Sequence, residues 1–321
     1  MSVTPQAIKE LRERTQAGMS DCKSALVEAS GDMEKAVEII LKKGLAKSAK
    51  RAGAVASEGE VRAAVTEGKR AANIVEVNIQ TDFAARSDQF KAFVKDVLAA
   101  VEVAPSGAEA HALPLSGKTI AEIATELTAK IGEKVHVRRW SRVELGEGKT
   151  GVAHAYVHMG GKIGVVLTIE TGTAEAASSP AVAELADDIA MHIAATGPVS
   201  LRRDEISDEQ KAKQKDIFEA QLKEDPKQKD HPERWGKIIE GKFNKWYSES
   251  VLLEQESVVT KTNEKGEPLP AEKISLILEK AGKALGTTVT VGAFVRFERG
   301  EGIEKAPTGD FAAEVAKMAG G

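Results

Sequence analysis

The chain contains little sulfur and few aromatic side chains. Cys22 is the one cysteine among 321 residues, so an internal disulfide is excluded, as is typical of proteins from a reducing compartment. Aromatic residues make up 4% of the chain, whereas glycine occurs 28 times. The core must therefore consist mainly of Ala, Val, Ile and Leu, and an aromatic residue in a predicted loop needs an explanation.

Long apolar runs and a large net charge are also missing. The longest strand-like apolar run, Ile163 to Ile169, is far shorter than the roughly 20 residues of a membrane-spanning helix. The N-terminus resembles neither a signal peptide nor a transit peptide. Forty-five basic against 49 acidic residues leave a formal charge of -4, which argues against nucleic acid as the main partner. We expect a cytoplasmic protein without a membrane segment.

The N-terminal region has the pattern of three short helices. Ser20 and Asp32 are predicted as N-caps, and Gly18, Gly31 and Gly44 as helix ends. Cys22 falls on an apolar helix face, so core packing is its expected role.

The segment that follows, residues 45–59, is rich in Ala, Gly and Lys and lacks apolar periodicity, which predicts a linker. Its basic residues either face solvent or contact RNA. They are Lys42, Lys43, Lys47, Lys50 and Arg51.

The middle of the chain mixes strand and helix patterns. Alternating apolar residues predict one β-hairpin within 61–79 and another within 151–170, the second turned by Gly160-Gly161. Helical patterns cover 119–131 and 180–195, and a further helix begins at the N-cap Ser87. Hairpins interspersed with helices favour an α+β fold with antiparallel sheets over a doubly wound parallel sheet.

The region 204–254 is highly charged and predicts an antiparallel helical hairpin, interrupted near Pro226 and Pro232. Apolar residues form a stripe on each helix, with two tryptophans on the second. This stripe must pack against its own partner helix or another chain, which makes dimerisation through the hairpin a hypothesis. The stripe residues are Ile217, Phe218, Leu222, Trp235, Ile238, Ile239, Phe243 and Trp246.

An internal repeat links two distant segments. A helix, a glycine, a strand and a Gly-Glu-Gly turn occur once around Gly132 and again around Gly286. Hydrophobic and turn positions keep a constant offset, which suggests two related subdomains. The alternative is that helix-glycine-strand units resemble one another in any protein.

The sequence lacks the complete pattern of a phosphate-binding loop and of a metal or nucleophile site. Gly148-Lys149-Thr150 ends like a phosphate-binding loop, but Val143 replaces the first glycine and a strand follows instead of a helix. The six histidines show no metal-ligand spacing, and no nucleophile motif is present. We therefore predict no metal, no cofactor and no direct nucleotide binding.

Two other features have both a structural and a functional interpretation. His158 ends a predicted strand beside Gly160-Gly161 and is either an exposed turn residue or a contact residue. Asp82-Phe83 lies between a strand and a helix. Phe83 either folds back onto Phe90 and Phe93 or projects as a wedge beside a carboxylate.

Several of these motifs together resemble the elongation factor Ts family. They are Leu11-Arg12-Glu13-Arg14-Thr15, Gly18-Met19-Ser20-Asp21-Cys22-Lys23, Thr81-Asp82-Phe83, Ile189-Ala190-Met191-His192-Ile193-Ala194-Ala195 and Gly300-Glu301-Gly302-Ile303-Glu304-Lys305. They occur in the family's order and span nearly the whole chain.

The resemblance implies a particular domain organisation. A ubiquitin-associated-like helical module would occupy 1–54, and the N-subdomain of the core 55–150. The C-subdomain would comprise 151–203 and 255–302, interrupted by the helical hairpin 204–254, and a C-terminal helical module would occupy 303–321. The internal repeat would then be the two subdomains.

The resemblance also implies a non-enzymatic function in translation. Members of the family are guanine-nucleotide exchange factors that bind the GTPase EF-Tu, disturb its Mg²⁺ coordination with an Asp-Phe wedge and promote release of GDP. Asp82 and Phe83 match the wedge, with Thr81 and Ala84 shaping it. The family commonly has a valine where this chain has Ala84.

Further partner contacts are implied at both ends of the chain. Arg12 and Met19 match contacts of the N-terminal module, and His158 matches a contact of the hairpin. Asp310 and Phe311 match a contact of the C-terminal helix. Ser20 stands where the family often has a second methionine, which predicts a smaller contact there.

The sequence leaves two functions from other classes as alternatives. The basic linker would suit a translation-associated RNA-binding or scaffold protein, whose affinity for RNA would depend steeply on salt. A nucleotide-hydrolysing enzyme would require the Lys149 loop to bind phosphate.

Overall fold

The computed structural model describes residues 3–15, 17–51, 53–263 and 265–304. Helices and antiparallel sheets alternate along these residues, which confirms the predicted α+β class. Elements with a clear apolar period, such as the helix that begins after Ser87, lie where the sequence predicts them.

Three helices form the N-terminal module: α1 (Pro5–Thr15), α2 (Met19–Glu28) and α3 (Met33–Arg51). Leu11, Cys22 and Leu26 are fully buried at its centre. Cys22 is therefore a core residue, as predicted. The Asp32 side chain accepts a hydrogen bond from the backbone N–H of Lys35 at 3.1 Å, which confirms it as a cap.

Two helix boundaries in this module differ from the prediction. Ser20 is not an N-cap, because α2 already begins at Met19, after Gly18 at the capping position. Gly44 does not end α3, which continues to Arg51, so the first part of the predicted linker is helical. A Cβ on Gly44 would lie 2.6 Å from the Cβ of Ala129, so this glycine is required for close helix packing.

The first subdomain of the core contains one three-stranded sheet of order β1-β2-β5 with helices against it. Phe90, Phe93 and Val94 are the centre of its helical layer. Its elements are β1 (Glu58–Val65), β2 (Ala71–Ile79), α4 (Asp82–Ala85), α5 (Asp88–Glu102), β3 (Pro114–Leu115), β4 (Lys118–Thr119), α6 (Ile120–Ile131) and β5 (His136–Glu144). The short strands β3 and β4 pair with each other.

The second subdomain repeats this order around a sheet β6-β7-β8. Its elements are β6 (Thr150–His158), β7 (Ile163–Thr171), α7 (Ala174–Ala177), α8 (Pro180–Thr196), then, after the hairpin, α11 (Ile274–Leu285) and β8 (Val289–Glu298). Gly132 and Gly286 both end their helices in the left-handed conformation. The equivalent strand pairs β2–β5 and β7–β8 also share a bulge, so the internal repeat is structural.

The hairpin inserted in the second subdomain consists of α9 (Asp208–Glu224) and α10 (Trp235–Ser250). Its apolar stripe packs between these two helices, with Ile217 as an exposed exception. The exposed apolar face that suggested a dimer is thus accounted for within the chain. The packed residues are Phe218, Leu222, Trp235, Ile238, Ile239, Phe243 and Trp246.

The two sheets are joined by a buried carboxylate on β2. Glu76 is fully buried and contacts Arg138 at 3.1 Å and Arg139 at 2.6 Å. It also accepts hydrogen bonds from the backbone of Gly300, beyond β8, at 2.7 Å and from Asn78 at 3.0 Å. Burial raises the pKa of Glu76, but these hydrogen bonds and the charge of Arg139 outweigh burial and leave the pKa below its usual value.

Candidate functional site

The Asp-Phe pair lies in α4, a helix of 4 residues between β2 and α5. Thr81 caps this helix: its hydroxyl oxygen accepts a hydrogen bond from the backbone N–H of Ala84 at 3.2 Å. Ala84 and Ala85 are buried against the core of the first subdomain. Ala84 therefore lies beneath the turn and forms its base.

Phe83 projects into solvent, with 85% of its surface exposed. The alternative that it folds back onto the following helix is wrong, because Phe90 and Phe93 are buried in the core without it. A phenylalanine side chain gains about 1.5–3 kcal/mol when it is fully buried, and this gain is absent from the fold. The exposed ring is therefore available to a partner.

Asp82 is held next to this ring by a weak ion pair. Its carboxylate accepts a hydrogen bond from Arg86 at 2.7 Å, one turn later. Both side chains are mostly exposed, so the pair is worth only about 0.2–1 kcal/mol. Asp82 can exchange Arg86 for a partner's group at little cost.

A residue that the sequence patterns did not single out contacts the same turn. Glu133, in the loop between α6 and β5, accepts hydrogen bonds from both the backbone N–H and the hydroxyl of Thr81, at 2.9 and 2.8 Å. The side chain of Gln80 in turn accepts from the backbone N–H of Lys134 at 2.9 Å. The internal repeat was the one available signal, since it marks the loop around Gly132 without assigning it a role.

His158 lies at the end of β6, beside the tight turn to β7. Its Nδ1 lies 2.8 Å from the hydroxyl of Tyr156, and the two rings stack with centroids 5.8 Å apart. The next residue, Met159, is 69% exposed. The hairpin tip therefore presents an ordered imidazole and an apolar side chain, of which the sequence patterns indicated only the first.

Known proteins resemble the whole chain. A family model described as Elongation factor TS matches residues 80–301. The chain is 44% identical to an elongation factor Ts of Clostridium perfringens over 322 residues, or 99% of each chain. It is 42% identical to that of a Nitratiruptor species over 318 residues, or 98% of this chain and 99% of the relative. For an elongation factor Ts of Clostridium botulinum, the identity is 40% over 322 residues, or 99% of each chain.

The chain belongs to the elongation factor Ts family. The resemblance noted in the sequence is thereby confirmed, and the protein is a translation elongation factor. The family match begins just before Thr81 and includes Phe83, Glu133 and His158. Within the described residues, no helix combines the length and apolar character needed to cross a bilayer.

The other residues that the resemblance implies as partner contacts lie outside this matched range. Arg12 is exposed on α1, and Met19 is 51% exposed at the start of α2. Both side chains are thus accessible on the N-terminal module. Asp310 and Phe311, and with them the predicted C-terminal helix, lie outside the described residues.

Three of the lysines behind the alternative functions form ion pairs within the chain. Lys149 forms an ion pair with Glu170 at 2.9 Å and is followed directly by β6, as the sequence predicts. Lys42 and Lys43 lie on α3 and pair with Glu38 and Glu28. In the part of the chain that the structure describes, no group of three His, Cys, Asp or Glu side chains is placed to hold a metal ion.

Proposed function

We propose that this protein is a guanine-nucleotide exchange factor for EF-Tu and that Asp82 and Phe83 form the wedge that loosens GDP. The exposure of Phe83 carries the proposal, because an apolar ring with 85% of its surface in solvent has no role in the core of its own chain. Family membership supports EF-Tu as the partner.

The mechanism is a coupling between two binding equilibria. A factor that binds nucleotide-free EF-Tu more tightly than GDP-bound EF-Tu must weaken GDP by the same ratio. The Mg²⁺ ion at such a site bridges phosphate oxygens and protein ligands, so displacing it removes the dominant positive charge that holds GDP. When GTP is in excess, it rebinds and expels the factor through the same linkage.

The exposed side chains have separate roles in this mechanism. Phe83 is the inserted group, and Asp82 lies at the same point as a negative charge that competes for the groups around Mg²⁺. Arg12, Met19 and His158 would contact EF-Tu around the insertion. Exchange makes and breaks no covalent bond, so this protein is not an enzyme in the chemical sense and needs no cofactor. It acts in the cytoplasm, together with EF-Tu.

The test is release of a fluorescent GDP analogue from purified EF-Tu, with the parent protein and with Phe83→Ala. The parent should accelerate release, and the variant should lose about tenfold, which corresponds to roughly 1.4 kcal/mol of coupling. Val103→Ala is the matched control, since Val103 is 86% exposed at the C-terminal end of α5 and no partner role is proposed for it.

The outcomes separate the wedge from a general effect of surface apolarity. Parent-like exchange by Val103→Ala together with the loss in Phe83→Ala supports the wedge. Equal losses in both variants would contradict it. A parent that does not accelerate release at all would contradict the proposed function itself. The circular dichroism of Phe83→Ala should match that of the parent, because the ring contributes little to the core.

A further inference from the structure

The repeat places a second turn in the molecule that can be compared with the wedge turn. Thr81 and Thr173 each cap a helix of 4 residues, α4 and α7, through a hydrogen bond to the third residue of that helix. Ser87 and Ser179 then cap the long helices α5 and α8. The two turns therefore share their backbone plan and their capping chemistry.

The side chains that face solvent differ between the two turns. Asp82 and Phe83 of the first correspond to Ala174 and Glu175 of the second, so the aromatic wedge is confined to the first turn. The second turn is thus an internal reference that has the same backbone plan and lacks the aromatic side chain.

The loops that follow the two equivalent helices also differ in their side chains. The position of Glu133, directly after Gly132, is occupied by Thr287 after Gly286 in the second copy. A threonine hydroxyl is a single, uncharged oxygen, whereas the Glu133 carboxylate accepts from the N–H and the hydroxyl of Thr81 with separate oxygens. The charged support therefore occurs in the copy that carries the wedge.

We infer that Glu133 is a positioning residue of the exchange reaction, which holds Thr81 so that α4 presents Phe83 in one orientation. This inference rests on the proposed function. The Thr81 hydroxyl donates its proton to Glu133 at 2.8 Å, and its oxygen accepts from the backbone N–H of Ala84 at 3.2 Å. Fixing the hydroxyl proton on Glu133 thus fixes the cap of α4.

Such support matters because α4 is too short to be stable through its own hydrogen bonds. Hydrogen bonds to an ionised acceptor are about twice as strong as neutral ones. Without the carboxylate, the Thr81 hydroxyl can donate to water or rotate away from Ala84, and the turn samples other conformations. The wedge must then be ordered during binding, which lowers the affinity for the nucleotide-free partner.

The decisive experiment is a double-mutant cycle in the GDP-release assay, with Glu133→Ala, Phe83→Ala and the double variant. Glu133→Ala alone should slow exchange by about fivefold, the loss expected from roughly 1 kcal/mol of pre-organisation. In the Phe83→Ala background, the same change should cost less than about twofold, because Glu133 acts through Phe83.

Glu122→Ala is the matched control at the opposite end of α6. Glu122 accepts from the backbone N–H and the hydroxyl of Thr119 at 2.7 and 2.9 Å, the same pair of groups that Glu133 accepts from Thr81. Its removal should lower stability, as loss of a capping box does, and leave exchange at the parent rate. Glu133→Gln, which keeps one acceptor oxygen, should recover part of the exchange lost in Glu133→Ala.

A second readout does not depend on activity. Hydrogen exchange of the Ala84 amide should become at least about fivefold faster in Glu133→Ala and stay unchanged in Glu122→Ala. Parent-like GDP release by Glu133→Ala, when Phe83→Ala is impaired, would overturn the inference and leave the proposed function intact. Fully additive losses would also overturn it, since Glu133 would then act independently of Phe83. A Phe83→Ala variant with parent activity would instead refute the proposed function.

Discussion

Gly44→Ala tests the close packing of α3 on α6, which joins the N-terminal module to the core. The new Cβ would lie 2.6 Å from the Cβ of Ala129, whereas carbon atoms in contact lie about 3.5–4.0 Å apart. Neither Cβ can rotate away, because each is fixed to its helix backbone. The helices must therefore separate by about 1 Å, at a cost of about 1–3 kcal/mol.

An opposing effect sets the sign of the result. Replacing glycine by alanine inside a helix gains about 1 kcal/mol from backbone propensity. Gly241→Ala in α10 isolates this gain, since a Cβ there would meet nothing within 4 Å. The control should therefore stabilise the protein, and Gly44→Ala should be less stable than the control by the full packing cost.

The assay is urea unfolding followed by circular dichroism, with Ala129→Gly as the compensating change. In the Ala129→Gly background the obstructing methyl group is gone, so Gly44→Ala should become stabilising by up to about 1 kcal/mol. A Gly44→Ala variant that is stabilised as much as Gly241→Ala in the parent background would refute the packing argument. The same result would remove the reason given for a glycine at position 44.

Three further predictions concern buried ionisable groups. Glu76→Gln should destabilise the protein by about 2–4 kcal/mol in thermal or urea unfolding, because it leaves Arg139 without its buried anion. Parent-like stability would contradict the role of Glu76 in joining the sheets. The folded-state pKa of Glu76 lies below its usual 4.5. Its contribution to stability is therefore present above pH 4.5 and is lost as the pH falls through the folded pKa. Glu76→Gln should accordingly lose stability less steeply than the parent as the pH falls. Burial lowers the pKa of His192 below 6.5, and the neutral ring donates from Nε2 to Gln255 at 2.9 Å. The contribution of His192 to stability should therefore be full above pH 6.5 and decline below it. His192→Gln should remove part of that decline between pH 6.5 and 5, because His136, whose pKa burial also lowers, contributes to it as well; an unchanged slope would contradict the assignment to His192.

The parts of the fold that the sequence predicts are those with a local period. The α5 face built on Phe90, Phe93 and Val97 repeats at helical spacing, and all three residues are buried. Local periodicity reports burial directly, because one face of each element must leave water. The same reasoning fails at Gly44, where a glycine that resembles a helix end is instead required by a neighbouring helix.

The candidate site likewise has one part that the sequence predicts and another that it does not. The sequence places Asp82 and Phe83 at a junction but does not decide whether the ring packs inward, because phenylalanine suits either position. The direction follows from the cap at Thr81 and the burial of Ala84, which turn the ring outward. Glu133 was missed because it contacts Thr81 across 52 residues, and such a contact leaves no local pattern.

The measurement that tests the central claim most directly is the affinity of this protein for nucleotide-free and for GDP-bound EF-Tu, determined by titration calorimetry at fixed Mg²⁺. The account predicts tighter binding to the nucleotide-free form by a factor of about 5–150 or more, equal to the factor by which the protein weakens GDP. Phe83→Ala should reduce this ratio by about tenfold. Equal affinities of the parent protein for the two forms would contradict exchange by linkage, whatever surface it uses to bind.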